Sequence, residues 1–206
     1  SIPITLFWVV GITNTLNLID GLDGLAAGVA MISSLSLTLV AQKFGYDTVV
    51  IMSAIVAGGC LGFLRFNFNP AKIFMGDTGA LFLGFMLAAI SIEGVMKSVA
   101  TIAIIVPIII LGVPIFDTTF AIFRRILSGK SIMSADKGHL HHRLLARGYS
   151  QRKTVLILYA ISGFFGLFAV LIAKANSQQA VYLSMIMLIV TVVFALKFGL
   201  FGTRKK

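Results

Sequence analysis

Seven residues of this 206-residue chain are acidic, and six of those are aspartates. Three of the aspartates fall in two polar islands at the ends of apolar runs. The first island reads Asn14-Thr-Leu-Asn17-Leu-Ile-Asp20-Gly-Leu-Asp23-Gly24. The second reads Asn67-Phe-Asn69-Pro-Ala-Lys-Ile-Phe74-Met-Gly76-Asp77-Thr-Gly79. Carboxylates at or beside membrane depth are costly and generally serve a function. Hard anionic oxygens beside carboxamides and glycines suit a divalent cation and a phosphorylated ligand, held at one side of a bilayer.

On a continuous helix, residues three apart rotate by about 300° per step, so Asn14, Asn17 and Asp20 share one arc and Asp23 swings away. Gly21 and Gly24 flank Asp23, so the spacing predicts a helix ending near Asp20 and a turn that redirects Asp23. Two carboxylates and two carboxamides then surround one cavity. A capped helix end would account for a lone Asp-Gly, but it leaves this four-membered ladder unexplained. In the second island, Asp77 stands at the N-terminus of an apolar helix beginning near Ala80, where free N–H groups and the helix dipole favour anions. Helix capping and metal binding are both open to this residue, because one carboxylate can do either. Gly76 and Gly79 permit close approach to a phosphate, and Mg²⁺, which binds through carboxylates and substrate phosphates, is the natural metal. Asn67 and Asn69 add polar atoms that an ordinary loop does not require.

A third region runs from Asp117-Thr-Thr-Phe-Ala-Ile-Phe-Arg124-Arg125 to Asp136-Lys-Gly-His139-Leu-His141-His142-Arg143, with every histidine of the chain inside four residues. Zinc is one candidate ligand, but no cysteine is near and closed zinc sites usually take four ligands. Histidines beside Lys137 and Arg143 also suit a diphosphate, through hydrogen bonds and positive charge. A solvated basic loop anchoring a membrane face is the plainer alternative. Asp117, close to Pro114, reads as a partner for Arg124 or Arg125.

The elements that must position these groups are membrane helices. Hydrophobic residues make up 58% of the chain, charged residues 12%, and mean hydropathy is +1.02, which excludes a soluble domain. About 20 apolar residues cross a bilayer as helix. Candidate segments lie near 2–17, 25–43, 48–65, 79–96, 98–123, 153–174 and 179–200. None shows the two-residue alternation of a membrane barrel. The expected fold class is all-α: a polytopic membrane helix bundle of about seven transmembrane helices. Residues 1–206 read as a single transmembrane catalytic domain with cytoplasmic loops at about 18–24, 66–79 and 124–153. The first segment is no signal peptide, since no basic stretch precedes it and Asn14 and Asn17 interrupt its end. Ser1 opens within an apolar segment, so the chain reads as the C-terminal portion of a longer protein. Cys60 is the single cysteine, which rules out a disulfide within the chain.

Charge sets the expected orientation. If the segments alternate, Arg65, Lys72, Arg124, Arg125, Lys130, Lys137, Arg143, Arg147, Arg152, Lys153 and Arg204 to Lys206 gather on one side. Lys43, Lys97 and Lys174 remain on the other. The basic side faces the cytoplasm, and Asp20, Asp23, Asp77, Asp117 and the histidines lie with it. The net charge of +10 is spread along the membrane edge, which suits anionic lipid rather than nucleic acid.

Together the strings Asn14-x-x-Asn17-x-x-Asp20-Gly-x-Asp23-Gly-Leu25, Asn67-x-x-Pro70-Ala-x-x-Phe74-Met-Gly-Asp77-Thr-Gly, Phe116-Asp117-Thr with Arg124-Arg125, and His139-Leu-His141-His142 resemble the polyprenyl-phosphate N-acetylhexosamine-1-phosphate transferases of the glycosyltransferase family 4 type. The resemblance covers residues from about 5 to 150. The His-x-His-His form with Phe-Asp-Thr is similar to the undecaprenyl-phosphate N-acetylglucosamine-1-phosphate branch. The muramoyl-pentapeptide branch carries a different histidine triplet and is the alternative.

The resemblance implies an enzyme that moves a sugar-1-phosphate from a UDP-sugar to undecaprenyl phosphate and releases UMP, starting cell-envelope polysaccharide or teichoic acid synthesis. It implies Mg²⁺ on Asp77 with Asn17 assisting, Mn²⁺ being the other candidate metal. Asp23 and Phe74 would hold the uracil. Asn67, Asp20, His139, His141 and His142 would line the diphosphate and the acceptor phosphate, with Arg124 and Arg125 also binding substrate. The expected location is the inner (plasma) membrane, multi-pass, with a cytoplasmic active site; a homodimer is compatible and no nucleic acid is involved. One family motif, Asp-Asp-x-x-Asp, has no match here, in keeping with a missing upstream portion. A cation- or proton-coupled transporter is the competing class. It predicts charges in mid-helix and an internal repeat, whereas these carboxylates cluster at one face and no repeat is seen.

Overall fold

The computed structural model describes residues 2–96, 102–129, 131 and 138–197, so the expectations placed on Lys97, Lys130, Asp136, Lys137 and Arg204 to Lys206 lie outside the described residues. The described residues are helical and irregular, with no strand among them. The helices are α1 (Ile2–Ile19), α2 (Leu25–Phe44), α3 (Asp47–Asn67), α4 (Gly76–Met96), α5 (Ile102–Ile110), α6 (Gly112–Leu127), α7 (Leu140–Ala146), α8 (Gln151–Lys174) and α9 (Ser177–Lys197). α1, α2, α3, α4 and α8 are long and apolar enough to cross a bilayer, and α5 with α6 forms a sixth, bent candidate. In α9 the apolar stretch is shorter, Ser177–Val193. The chain is a multi-span membrane helix bundle.

α2 is the central helix. Leu25, Ala26, Ala27, Val29, Ala30, Ser33 and Ser34 are fully buried along it. Small side chains let neighbouring helices approach closely where lipid offers no hydrophobic gradient. α3 and α8 pack on α2, and α4 and α5 also touch it. Large apolar side chains such as Phe7, Ile55, Leu61, Leu167 and Ile189 point outward, as a lipid-facing surface requires.

The pair that matters most for the site is α1 against α4. The two helices run antiparallel in one register. Trp8 Nε1 donates to Ser91 Oγ at 2.9 Å, and further along Gly84 presses on Thr13 so closely that a Cβ there would stand 2.7 Å from the Thr13 Cα. Two turns beyond this crossing on either helix stand Asp20 and Asp77.

The expected segment 98–123 is not one helix. It breaks at Leu111, and α6 leaves α5 at 83°. The cause is local. The carbonyl of Ile110 would take its helical bond from residue 114, but Pro114 has no N–H to give. Ser33 Oγ of α2 donates to that carbonyl instead, at 3.2 Å. A broken helix inside a membrane needs such an internal donor. The bend aims α6 across the end of α1, against which it packs.

Gly84→Ala should therefore destabilise the bundle by about 1–3 kcal/mol through overpacking against backbone. The readout is the melting midpoint in detergent. Gly94→Ala, on the same helix where a Cβ meets nothing within 4 Å, serves as the reference, and equal midpoints for the two variants would remove the crossing as a constraint.

Candidate active site

All three polar regions converge at one end of the bundle. α1 ends at Ile19 and the Asp20 N–H closes its last turn on the Asn17 carbonyl at 3.2 Å, so the helix stops where the glycines predict. Asp20 is half-buried. Its carboxyl is raised from the usual carboxylate range, first by burial and then by the negative charge of Asp77. Asp77 is exposed and lies in the first turn of α4, a helix that starts at Gly76 rather than near Ala80. The positive end of the helix offsets part of its charge. A carboxylate raised by burial and by a neighbouring carboxylate is a donor that a hard cation relieves. No group of three or more His, Cys, Asp or Glu side chains with metal-site geometry occurs among the described residues. A cation that keeps several waters and binds through one or two carboxylates fits such a pair.

A clamp joins the first island to the second. Gly24 takes φ +78°, a left-handed conformation that an L side chain rarely adopts. This turn redirects Asp23, whose Oδ2 accepts from Asn69 Nδ2 at 3.0 Å and from Ala71 N at 3.1 Å. The Gly24 N–H donates to Asn67 Oδ1 at 3.0 Å, while Asn67 Nδ2 donates to the Ile73 carbonyl at 2.9 Å. From α8, the Tyr159 hydroxyl donates to the Gly24 carbonyl and Arg152 Nε donates to the Asn69 carbonyl at 2.9 Å.

Asn67, expected at the diphosphate, is thus buried with both ends of its amide engaged inside the protein. It holds the two loops in register. Phe74 differs: its ring is 75% exposed on the same loop, presenting a free aromatic face. Tyr159, Arg152 and the clamping role of Asn69 were missed from the sequence. A lone phenol in an apolar helix was the available signal, because a buried Tyr hydroxyl needs a partner.

The histidines form the third wall. Asp117, read as a partner for Arg124 or Arg125, instead binds His139: Oδ2 lies 2.9 Å from His139 Nδ1, and Oδ1 accepts from Leu140 N at 2.7 Å. The reason is the α5–α6 bend, which brings Asp117 to the start of α7. Arg124 is buried, and its guanidinium fills the space beside Gly138. His139 stacks on His141 with centroids 5.8 Å apart and planes 6° apart, and His141 meets His142 at 4.2 Å. His141 also seals the first island, with Nε2 only 2.8 Å from where a Cβ on Gly21 would stand. Burial pushes the His141 imidazole down to about 4 against the opposing pull of Asp117. It is uncharged at neutral pH and lends no positive charge to a phosphate. His142 is the exposed member of the three.

Asn67→Ala should cost about 1–3 kcal/mol, because it strips the buried Gly24 N–H and the part-buried Ile73 carbonyl of their partner. Phe74→Ala, on the same loop but exposed, should leave the melting midpoint unchanged. A loop that tolerated Asn67→Ala as well as Phe74→Ala would show that the clamp carries no stability.

Comparison with known proteins gives a consistent set of likenesses. Residues 1–95 match Glycosyl transferase family 4. Over 204 residues, 99% of this chain and 57% of the relative, the sequence is 47% identical to a protein of Bacillus subtilis named probable undecaprenyl-phosphate N-acetylglucosaminyl 1-phosphate transferase. It is 39% identical over 207 residues, 90% of this chain and 51% of the relative, to the decaprenyl-phosphate N-acetylglucosaminephosphotransferase of Mycobacterium tuberculosis. It is 38% identical over 173 residues, 81% of this chain and 51% of the relative, to the phospho-N-acetylmuramoyl-pentapeptide-transferase of Acetivibrio thermocellus. The chain spans about half the length of the curated relatives it matches.

Proposed function

The chain belongs, through residues 1–95, to glycosyl transferase family 4, and on that premise we propose that the full-length protein transfers N-acetylglucosamine-1-phosphate from its UDP-sugar to undecaprenyl phosphate, releasing UMP. The observation that carries this reading is the opposition of Asp20 and Asp77 across the converging ends of α1 and α4, with the exposed ring of Phe74 three residues before Asp77. A soluble nucleotide sugar and a lipid phosphate share only the membrane surface, and a site at the ends of the apolar helices α1 and α4 suits that meeting place. The N-acetylglucosamine branch is favoured over the muramoyl-pentapeptide branch by the higher identity over more of the chain, 47% over 99% against 38% over 81%.

Each residue has a distinct task in this reading. Asp77 and Asp20, with Asn17 one turn before Asp20, are the groups that would hold Mg²⁺ or Mn²⁺. When bound, the metal would neutralise the diphosphate and make UMP a better leaving group. Phe74 stacks on the uracil, as exposed aromatic faces do on bases. Asp23 is pinned by Asn69 and Ala71 through Oδ2, which presents its other oxygen to the uracil N–H. The histidine wall and Arg125 border the phosphates, with Arg124 shaping the loop from behind. An oxygen of the lipid phosphate attacks the phosphorus next to the sugar, a new P–O bond forms, and the P–O bond to UMP breaks. Such transfer needs alignment and charge compensation rather than a covalent intermediate on the protein.

The reading also assigns this end of the bundle to the cytoplasmic face of the plasma membrane, supported by the basic residues along it. Arg147→Cys, in the exposed turn after α7, should resist membrane-impermeant thiol reagents applied outside intact cells and react after permeabilisation. Labelling from outside would reverse the orientation.

Asp77→Asn tests the metal assignment in the full-length protein. Asn keeps the size and still suits a helix start, so a purely structural Asp77 predicts near-normal turnover. A metal-binding Asp77 predicts a loss of UMP release on the order of a hundredfold or more. Glu93→Gln near the far end of α4 is the control and should change little. Full Mg²⁺-dependent turnover in Asp77→Asn would end the assignment.

A further inference from the structure

The reaction as described leaves one buried carboxylate without a task. Asp117 is 6% exposed and His139 5%, and a carboxylate kept at that depth beside an apolar core is expensive unless it is fully used. Both of its oxygens are used, Oδ2 by the His139 ring at 2.9 Å and Oδ1 by the Leu140 N–H at 2.7 Å. A carboxylate only accepts, so the ring must turn a protonated Nδ1 toward it. In the neutral ring the bond therefore selects one tautomer, with Nε2 as the nitrogen that carries the lone pair.

The surroundings hold that choice firm. The parallel stack with His141 limits rotation of the ring, and the Leu140 N–H anchors the carboxylate from the other side. His141 is held neutral by burial, so it does not compete as a cation for Asp117.

We infer that Asp117 is a positioning residue that fixes His139 as the Nδ1–H tautomer, so that His139 Nε2 takes the proton of the acceptor phosphate monoester. This rests on the transferase reading given above. The P–O–H proton passes to Nε2, the imidazolium so formed is stabilised by Asp117, and the freed oxygen makes the new bond to phosphorus as UMP departs. Proton acceptance by a placed imidazole is general-base catalysis, and a neighbouring carboxylate that sets the tautomer governs it.

Asp117→Asn in the full-length protein separates this role from simple anchoring. The amide retains an oxygen for the Leu140 N–H but offers an N–H to His139 Nδ1, which moves the ring proton to Nε2. The expected result is a kcat for UMP release lowered by about a hundredfold or more, with the KM for the UDP-sugar unchanged. A structural anchor would be preserved by Asn, so near-normal kcat in Asp117→Asn overturns the proposal. ¹⁵N spectra of histidine-labelled protein, with His139 assigned by its loss in His139→Gln, read the tautomer directly. Protonated Nδ1 and bare Nε2 in the unaltered protein, reversed in Asp117→Asn, is the expected pattern; a protonated Nε2 and bare Nδ1 in the unaltered protein overturns the proposal whatever the kinetics show. Should the unaltered protein release no UMP from UDP-N-acetylglucosamine and a polyprenyl phosphate, the transferase reading fails and the proton step fails with it. The spectra would still decide what Asp117 does to His139.

Discussion

Two carboxylates facing each other at the edge of a bilayer would normally move apart, and here the helices do not allow it. The approach of α1 to α4 at Thr13 and Gly84 admits no side chain between the backbones. Trp8 and Ser91 lock the same register at the far end. From a crossing so tight, two turns of rigid helix on each side carry Asp20 and Asp77 to one place. The Asp20 carboxyl is raised first by burial and then by the charge of Asp77. Packing energy spread along two whole helices sustains an electrostatic cost concentrated at their ends.

The remaining polar residues divide by what they touch. Asn67, Asn69 and Asp23 spend hydrogen bonds on one another's loops, and Tyr159 and Arg152 brace the same loops from α8. Phe74 and Asp77 stay exposed on the scaffold this creates. A site that is to admit a ligand at the end of a helix bundle needs such a contrast. Its binding groups have to be open, so their placement is enforced by neighbours that are closed.

The bend between α5 and α6 serves the same end by another route. Pro114 removes one backbone donor and Ser33 replaces what is lost with a side-chain donor from the central helix. The cost of a broken helix inside the bundle is thereby contained. The benefit is directional, since α6 then delivers Asp117 to His139 and Arg124 to the loop at Gly138.

Much of this was legible in the sequence because membranes make sequence unusually explicit. A hydrocarbon slab demands long apolar helices and tolerates carboxylates only for cause, so the helical class, most of the spans and the two aspartate islands follow from composition and spacing alone. The turn at Asp20–Gly24 was readable as well, because Gly24 answers a local backbone requirement. What the sequence did not decide is which polar atoms face a ligand and which face each other. Asn67 looked like a binding residue and is a clamp; Asp117 looked like an arginine's partner and holds a histidine; Tyr159, which the sequence did not single out, braces the turn at Gly24. Those outcomes depend on the 83° bend at Leu111 and on which helices cross α2. Spacing along one helix records its own faces and nothing of its neighbours. Hydrogen bonds between residues as far apart as Gly24 and Tyr159 are therefore settled only when the helices pack.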